Sequence, residues 1–308
     1  MRAILATGAL LSLVPLWLGD SRFLMGLAIG GLVFAAYAVA FNVIFGETKQ
    51  LFLCVGALAG VGGYLSANFA DRAGWPLPAS VVAAALIATG LGGLFSWVAV
   101  RRSLDVIFTG IVTLAFSLSY ANLLLGQRTF TGGENGLAVA SGSETAIRGH
   151  ASAYYLFLAV LLTYLAVYRL LQRSHVGWAF RSLRDDEQAA ELAGVNVSRY
   201  RIQAGLIGSA MLGLAGALLA HHEGFITPST YAFGHVDVRV LVMLAFGGIG
   251  TLLGPVLGAA VFTITDELLV GVGQLREVAY GLLVIVLFLF FRRGAIPALT
   301  SRLRRLRA

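Results

Sequence analysis

The chain alternates long apolar runs with short polar punctuation, and each run is near the length that crosses hydrocarbon as a helix. Ala3 to Leu18, Phe23 to Phe45, Leu51 to Ala70, Ala79 to Val100, Leu104 to Leu125 and Ser152 to Leu171 read as six spans. Asp20-Ser21-Arg22, Lys49, Asp71-Arg72, Arg101-Arg102 and a polar, glycine-bearing loop over 126–151 separate them. A polar segment over 172–203 follows, then Ala204 to Ala220 as a further span, a long apolar stretch from Val236 to Leu269, and a last run from Val278 to Phe291. The first run has the look of a signal peptide, but no small-x-small cleavage site precedes Asp20, so a span is expected there.

The pattern predicts an all-α polytopic membrane protein, a single transmembrane domain over 1–308 built as a bundle of about nine to ten membrane segments with broken or re-entrant helices. Composition agrees. The chain is 58% hydrophobic and only 12% charged, with a mean hydropathy of +0.84, about half the charge of a soluble domain. A pI near 9.9 raises nucleic acid as a partner, but the arginines sit in blocks that flank apolar segments. That is the positive-inside pattern and argues for no nucleic acid. Cys54 is the sole cysteine, which excludes an internal disulfide and a cysteine-based metal site.

Charge and parity together predict orientation. With Arg2 inside, spans one to four return the chain at Arg101-Arg102, and spans five and six return it at the arginine-rich segment. The tail over 292–308 carries R-L-R-R-L-R and should also be cytoplasmic, leaving 126–151 as an external loop. That balance fails unless Val236 to Leu269 crosses twice or re-enters. The sequence suggests a break at membrane depth over Gly247 to Gly258, where glycines and Pro255 weaken a helix. A glycine-rich counterpart, Gly56 to Gly63, lies in the first half. Paired interruptions of this kind point to a transport pathway, although close packing of small residues gives the same pattern.

The longest polar run is Arg181 to Gly194. Asp185 reads as an N-cap with Gln188 completing a capping box. Asp186 and Glu187 place negative charge in the first turn, and Gly194 stops the helix. Its small apolar face, Ala189, Leu192 and Ala193, needs something to lie against. A solvated surface helix and a docking helix for a cytoplasmic partner both fit.

These segments resemble the membrane permeases of branched-chain amino acid ABC importers, the longer of the two permease types. V-T-L-A-F (Val112 to Phe116), T-G-G-E-N-G-L (Thr131 to Leu137), the run Ser174 to Val197, G-L-A-G-A-L (Gly213 to Leu218) and G-G-I-G-T-L-L-G-P-V-L-G-A (Gly247 to Ala259) carry the likeness. The resemblance implies alternating access driven by ATP and Mg bound on a separate chain, with no cofactor on this one and no enzymatic activity of its own. It implies a second homologous permease, two cytoplasmic ATP-binding subunits, an external solute-binding protein and a bacterial inner-membrane location. The loop 172–203 would couple to the ATPase through Arg184, Asp185, Asp186, Glu187, Ala189, Ala190 and Gly194. Asn42, Gln50, Phe52, Tyr64, Thr113, Gly247 and Gly248 would line the substrate pathway. Where the family usually has Gln-Leu-Ser-Leu-Gly, this chain has Gln50-Leu51-Phe52-Leu53-Cys54. An amino acid is the expected solute, with urea, amides or aromatic acids as alternatives.

Two other classes fit less well. An ion-coupled secondary transporter keeps ionisable groups at mid-membrane, whereas Asp105, Asp237, Asp266 and Glu267 sit near expected span ends. An intramembrane hydrolase would need Ser209 beside His221, His222 or His235, and the topology separates them. No P-loop is possible, since the only lysine, Lys49, precedes Gln50.

Overall fold

Residues 2–18, 21–139 and 149–269, with isolated positions between 278 and 289, are described by the computed structural model. The first apolar run is broken in two, α1 (Arg2–Ser12) and α2 (Val14–Leu18). Pro15 has no N–H to give the Leu11 carbonyl, and the Tyr154 hydroxyl donates to that carbonyl instead, at 2.7 Å. The second run forms α3 (Arg22–Phe41), which winds on as a π-helix over Asn42–Gly46.

The third span starts later than its hydropathy suggests. Lys49 takes a left-handed φ of 56°, residues 50–54 are non-helical, and α4 runs over Val55–Ala73. Next come α5 (Leu77–Arg101) and α6 (Val106–Gly126). The loop beyond α6 is partly built. It holds a one-turn α7 (Arg128–Thr131) and a two-residue strand β1 (Leu137–Ala138). Residues 140–148 lie outside the described chain.

α8 (His150–Arg173) leads through Ser174 into α9 (His175–Asp185), and α10 (Glu187–Leu192) precedes the long α11 (Val197–Glu223). Strand β2 (Phe225–Ile226) pairs antiparallel with β1, Leu137 opposite Ile226. Two shorter helices follow, α12 (Asp237–Gly247) and α13 (Gly254–Leu268). Among the described residues five helices, counting α3 with its π-extension, are long and apolar enough to span a membrane: α3, α5, α6, α8 and α11.

α11 is the axis, packed against α4 and α5 with α3 beside it. Close approach is what glycine permits here. A Cβ on Gly62 would lie 2.0 Å from the Gly213 carbonyl oxygen, and one on Gly216 would lie 2.1 Å from that of Ala59. Small residues let membrane helices meet backbone to backbone. One end of the bundle carries Arg173, Arg181, Arg184 and Arg201, and the β1–β2 pair closes the other.

The parity problem resolves in part. α12 runs toward the arginine end, residues 248–253 turn beside Asn42 and Arg184, and α13 runs back. The non-helical turn is therefore at that end of the bundle, not at mid-depth, and Gly254 to Gly258 belong to α13. At 1.5 Å per residue the eleven residues of α12 reach about 16 Å, roughly half of a hydrocarbon core of about 30 Å. Residues 49–54 also begin at the arginine end, where Gln50 donates to the Arg201 carbonyl, and lead inward to Val55 beside Asp237. The last run, Val278 to Phe291, and the tail 292–308 lie outside the described residues apart from the isolated positions.

The glycine crossing gives a test. Gly62→Ala should lower stability by about 1–3 kcal/mol through overpacking. Gly90→Ala, where an added Cβ meets nothing within 4 Å, should be neutral or slightly stabilising. Thermal unfolding of the purified chain in detergent separates the two.

Candidate functional site

Three stretches of non-helical backbone interrupt the bundle: 49–54, 232–236 and 248–253. Unpaired N–H and C=O groups in such a setting are costly, so each stretch must find partners. The 232–236 stretch pairs on itself, the His235 and Val236 N–H groups both bonding the Ala232 carbonyl, and side chains from distant elements serve the other two.

Asn42 closes the third stretch. The π-winding brings its amide to the turn, where Nδ2 donates to the Thr251 carbonyl at 2.9 Å and Oδ1 accepts from the Gly250 N–H at 2.8 Å. Gly248 and Gly250 have φ of 121° and 73°, and a Cβ on Gly247 would sit 1.8 Å from the Gly254 carbonyl oxygen. The sharp turn therefore needs its glycines. Pathway candidates Asn42, Gly247 and Gly248 thus come together as one clamp.

Gln50 and Thr113 hold the first stretch. Gln50 Nε2 donates to Thr48 Oγ1 at 2.9 Å and to the Arg201 carbonyl at 2.8 Å. Thr113 Oγ1 accepts from the Leu53 N–H at 2.9 Å and lies 3.3 Å from the Leu51 carbonyl. Phe52 is fully buried, edge-on to Phe95 with ring centroids 6.4 Å apart. Tyr64 packs farther along α4 against Tyr231, at 6.1 Å. Its hydroxyl has no hydrogen-bond partner among the described residues.

Sequence reasoning missed Asp237. It is not at a span end in space. It is 1% exposed, and its carboxylate accepts from the backbone N–H groups of Val55 and, at 3.3 Å, Gly56. α4 and α12 thus begin next to each other inside the bundle, and the first side chain of α12 caps α4. A carboxylate is the favoured group at a helix N-terminus. Its position in sequence carried no sign of this.

The other missed residue is Glu47, 3% exposed. The Tyr168 hydroxyl donates to its Oε1, Gln172 Nε2 does so at 3.3 Å, and Arg184 Nη1 lies 3.9 Å from Oε2. Arg184 also reaches the Gly250 carbonyl at 3.4 Å. One arginine of the polar segment therefore touches both the end of α3 and the glycine turn. The polar cluster Glu47 to Gln50, directly after an apolar span, was the available signal.

The polar segment differs in detail from its reading. Asp185 is the last residue of α9, not a cap. Asp186 is the N-cap of α10, its Oδ1 accepting from the Ala189 N–H at 3.0 Å. Glu187 pairs with Arg201 at 2.7 Å and so ties α10 to α11. Gly194 takes φ of 85°, as a helix stop requires. The apolar face is reversed. Ala190 is buried at 3% exposure, whereas Ala189 and Ala193 are exposed and Leu192 is 91% exposed. Between α9, the 193–196 turn and the start of α11 lies a cavity of about 550 Å³.

Ser209 is fully buried at the crossing of α5 and α11, where a Cβ on Gly92 would collide with its hydroxyl. His221 bonds Ser66 instead, at 2.8 Å and equally buried. Packing accounts for both serines. No group of three or more metal-ligating side chains occurs among the described residues.

Long apolar helices, polar side chains consumed in closing breaks, and a polar segment laid across one end define a multi-pass membrane protein of the transporter kind. The chain belongs to the family of branched-chain amino acid transport system permease components, whose model matches residues 23–291. It is 26% identical to the high-affinity branched-chain amino acid transport system permease protein LivM of Escherichia coli, over 96% of this chain and 75% of that one. LivH of the same organism is 26% identical over 77% of this chain and 82% of its own length. The fructose import permease protein FrcC of Rhizobium meliloti is also 26% identical, over 86% and 81%. No solved structure matches.

The cap on α4 can be probed through the protein's own cysteine. Asp237→Ala leaves the Val55 and Gly56 amides unpaired, a loss of about 1–3 kcal/mol for each buried group. Cys54, fully buried beside them, should then react faster with a maleimide in membranes. Asp237→Asn keeps an acceptor and should show a smaller rise.

Proposed function

We propose that this chain is the membrane-spanning subunit of an ATP-driven importer that carries an amino acid, branched-chain first, by alternating access. ATP and Mg act on separate cytoplasmic subunits, and an external solute-binding protein delivers the solute. A second, related permease completes the pathway, and the arginine end faces the cytoplasm. The observation that carries this reading is the form of the polar segment. α10 is a short helix held by Asp186, by the Glu187–Arg201 pair and by the Gly194 turn, and it presents an exposed leucine. A leucine that clear of its own chain on a charged helix suits a cleft in a partner.

The solute class has a second candidate. The similarity extends to a fructose permease and to the xylose transport permease XylH of Escherichia coli, the latter 22% identical. Urea, amides and aromatic acids remain alternatives within the same mechanism. Phe52, in the place of the family's serine, is packed on Phe95 rather than open to a cavity, which favours a structural role for that departure.

The docking test falls on Leu192. Leu192→Asp should leave insertion and folding intact yet reduce substrate-stimulated ATP hydrolysis of the reconstituted complex by at least about tenfold, the effect of losing a central apolar anchor. Leu192→Met should retain most of it. Ala190→Trp is the wrong probe, because it overfills the chain's own interior and should destabilise the permease itself. Full stimulation with Leu192→Asp would sink the docking role of α10. Labelling of a cysteine placed at Ser301 should report the cytoplasmic side, and an external tail would overturn the orientation.

A further inference from the structure

The arginine end holds a second feature that α10 does not use. α8 ends with Arg169 and Arg173 four residues apart, which puts them on one helix face. α9 follows after Ser174, and the two helices enclose a cavity of about 430 Å³ lined by Arg169, Gln172, Arg173, Trp178, Arg181 and Arg184. Arg181 is folded back over the joint. Its Nη2 donates to the Gln172 carbonyl at 2.5 Å, its Nε to that of Gly177 at 3.3 Å, and its guanidinium lies 4.8 Å from the centre of the Trp178 ring. Carbonyls orient the group without neutralising it. Among the described residues, Glu47 is the one carboxylate paired with any of these four arginines, at 3.9 Å from Arg184. Four positive charges thus share a cavity with one negative charge at its edge, and like charges so close call for a counter-ion.

Position says which anion. Arg169 and Arg173 stand in the last turns of α8, where a span leaves hydrocarbon. α9 is strongly two-faced: Gly177, Ala179, Phe180 and Leu183 are buried, while Trp178 on the other side is 69% exposed. Tryptophan with arginine at the end of a span is what the headgroup layer favours. A basic pocket beside the cytoplasmic end of a span suits a phosphate headgroup. We propose that the pocket between α8 and α9 binds the phosphate headgroup of an anionic phospholipid of the cytoplasmic leaflet. Arg169, Arg173 and Arg181 supply the charge, and Trp178 lies at the level where headgroup meets acyl chain. This rests on the proposed function only in needing the arginine end to face the cytoplasm.

The test uses the full chain purified in detergent, titrated separately with short-chain phosphatidylglycerol, short-chain phosphatidylcholine and inorganic phosphate, with bound species read by native mass spectrometry. Phosphatidylglycerol should bind more tightly than phosphatidylcholine, and inorganic phosphate should not displace it at matched concentration. Arg169→Gln/Arg173→Gln should weaken phosphatidylglycerol about thirtyfold, the combined attraction of two surface charges, and leave phosphatidylcholine unchanged. Arg169→Lys/Arg173→Lys, which keeps the charge, should weaken it less. Equal binding of the two lipids, or undiminished phosphatidylglycerol binding by the glutamine variant, overturns the proposal. Displacement by inorganic phosphate, or by the purified ATPase subunit, also overturns it, by assigning the pocket to a free anion or to a protein contact. None of these readouts depends on which solute is carried or on ATP hydrolysis, so this proposal and the transport reading fail separately.

Discussion

Backbone polar groups that cannot reach water must be paired inside the chain, and that constraint governs this bundle. Helices satisfy it by themselves, and 232–236 does so through its own backbone; 49–54 and 248–253 do not. Those two are closed by side chains from far along the sequence, Asn42 on the 248–253 turn and Thr113 and Gln50 around 49–54, and Asp237 caps the start of α4. Such bonds join elements that hydropathy alone leaves independent. They explain why polar residues occur in these apolar segments.

Two broken helices sharing one carboxylate have a further consequence. The N-terminus of α4 and that of α12 both bring partial positive charge into the bundle. Asp237 sits between them and is held by amides of the first. A mid-bundle carboxylate used this way does not look like an ion-coupling relay, since its oxygens are engaged by backbone rather than aimed into an open path. The case against ion coupling therefore loses span position as its ground and rests on how this carboxylate is engaged. Asp237 lies at a boundary in the chain but not in space.

Legibility followed the range of the interaction. Long apolar runs with arginine punctuation showed five spans of the described residues, α3, α5, α6, α8 and α11, because hydrophobic length is a local property. The glycine-rich stretch from Gly247 was readable as a break, because Gly and Pro act on their own backbone. Its depth was not, since that depends on which side chain clamps it, and Asn42 lies more than two hundred residues away. The cap of α10 slipped by one residue for a related reason. Asp185 and Asp186 are chemically equal, and only the preceding helix α9, which takes Asp185 as its last residue, decides between them. The buried face of α10 was misjudged because a two-turn helix has too few positions for its periodicity to pick a side.

Contact strength at the arginine end bears on how motion there reaches the bundle. Asn42 grips the glycine turn with two bonds of ordinary length, 2.9 and 2.8 Å. Arg184 meets the same turn at 3.4 Å and Glu47 at 3.9 Å, and it remains partly open to solvent. Long contacts of a solvent-touched arginine are weak and easily remade. The turn is thus bound firmly to the end of α3 and loosely to α9. A displacement of α9 and α10 would slide Arg184 along the turn rather than drag the turn with it. α10 meets α11, the axis on which α4 and α5 are packed by their glycines, through the Glu187–Arg201 pair at 2.7 Å, in which Glu187 is itself open to solvent. The helix that carries the exposed leucine thus touches the central helix at a shorter distance than α9 touches the glycine turn.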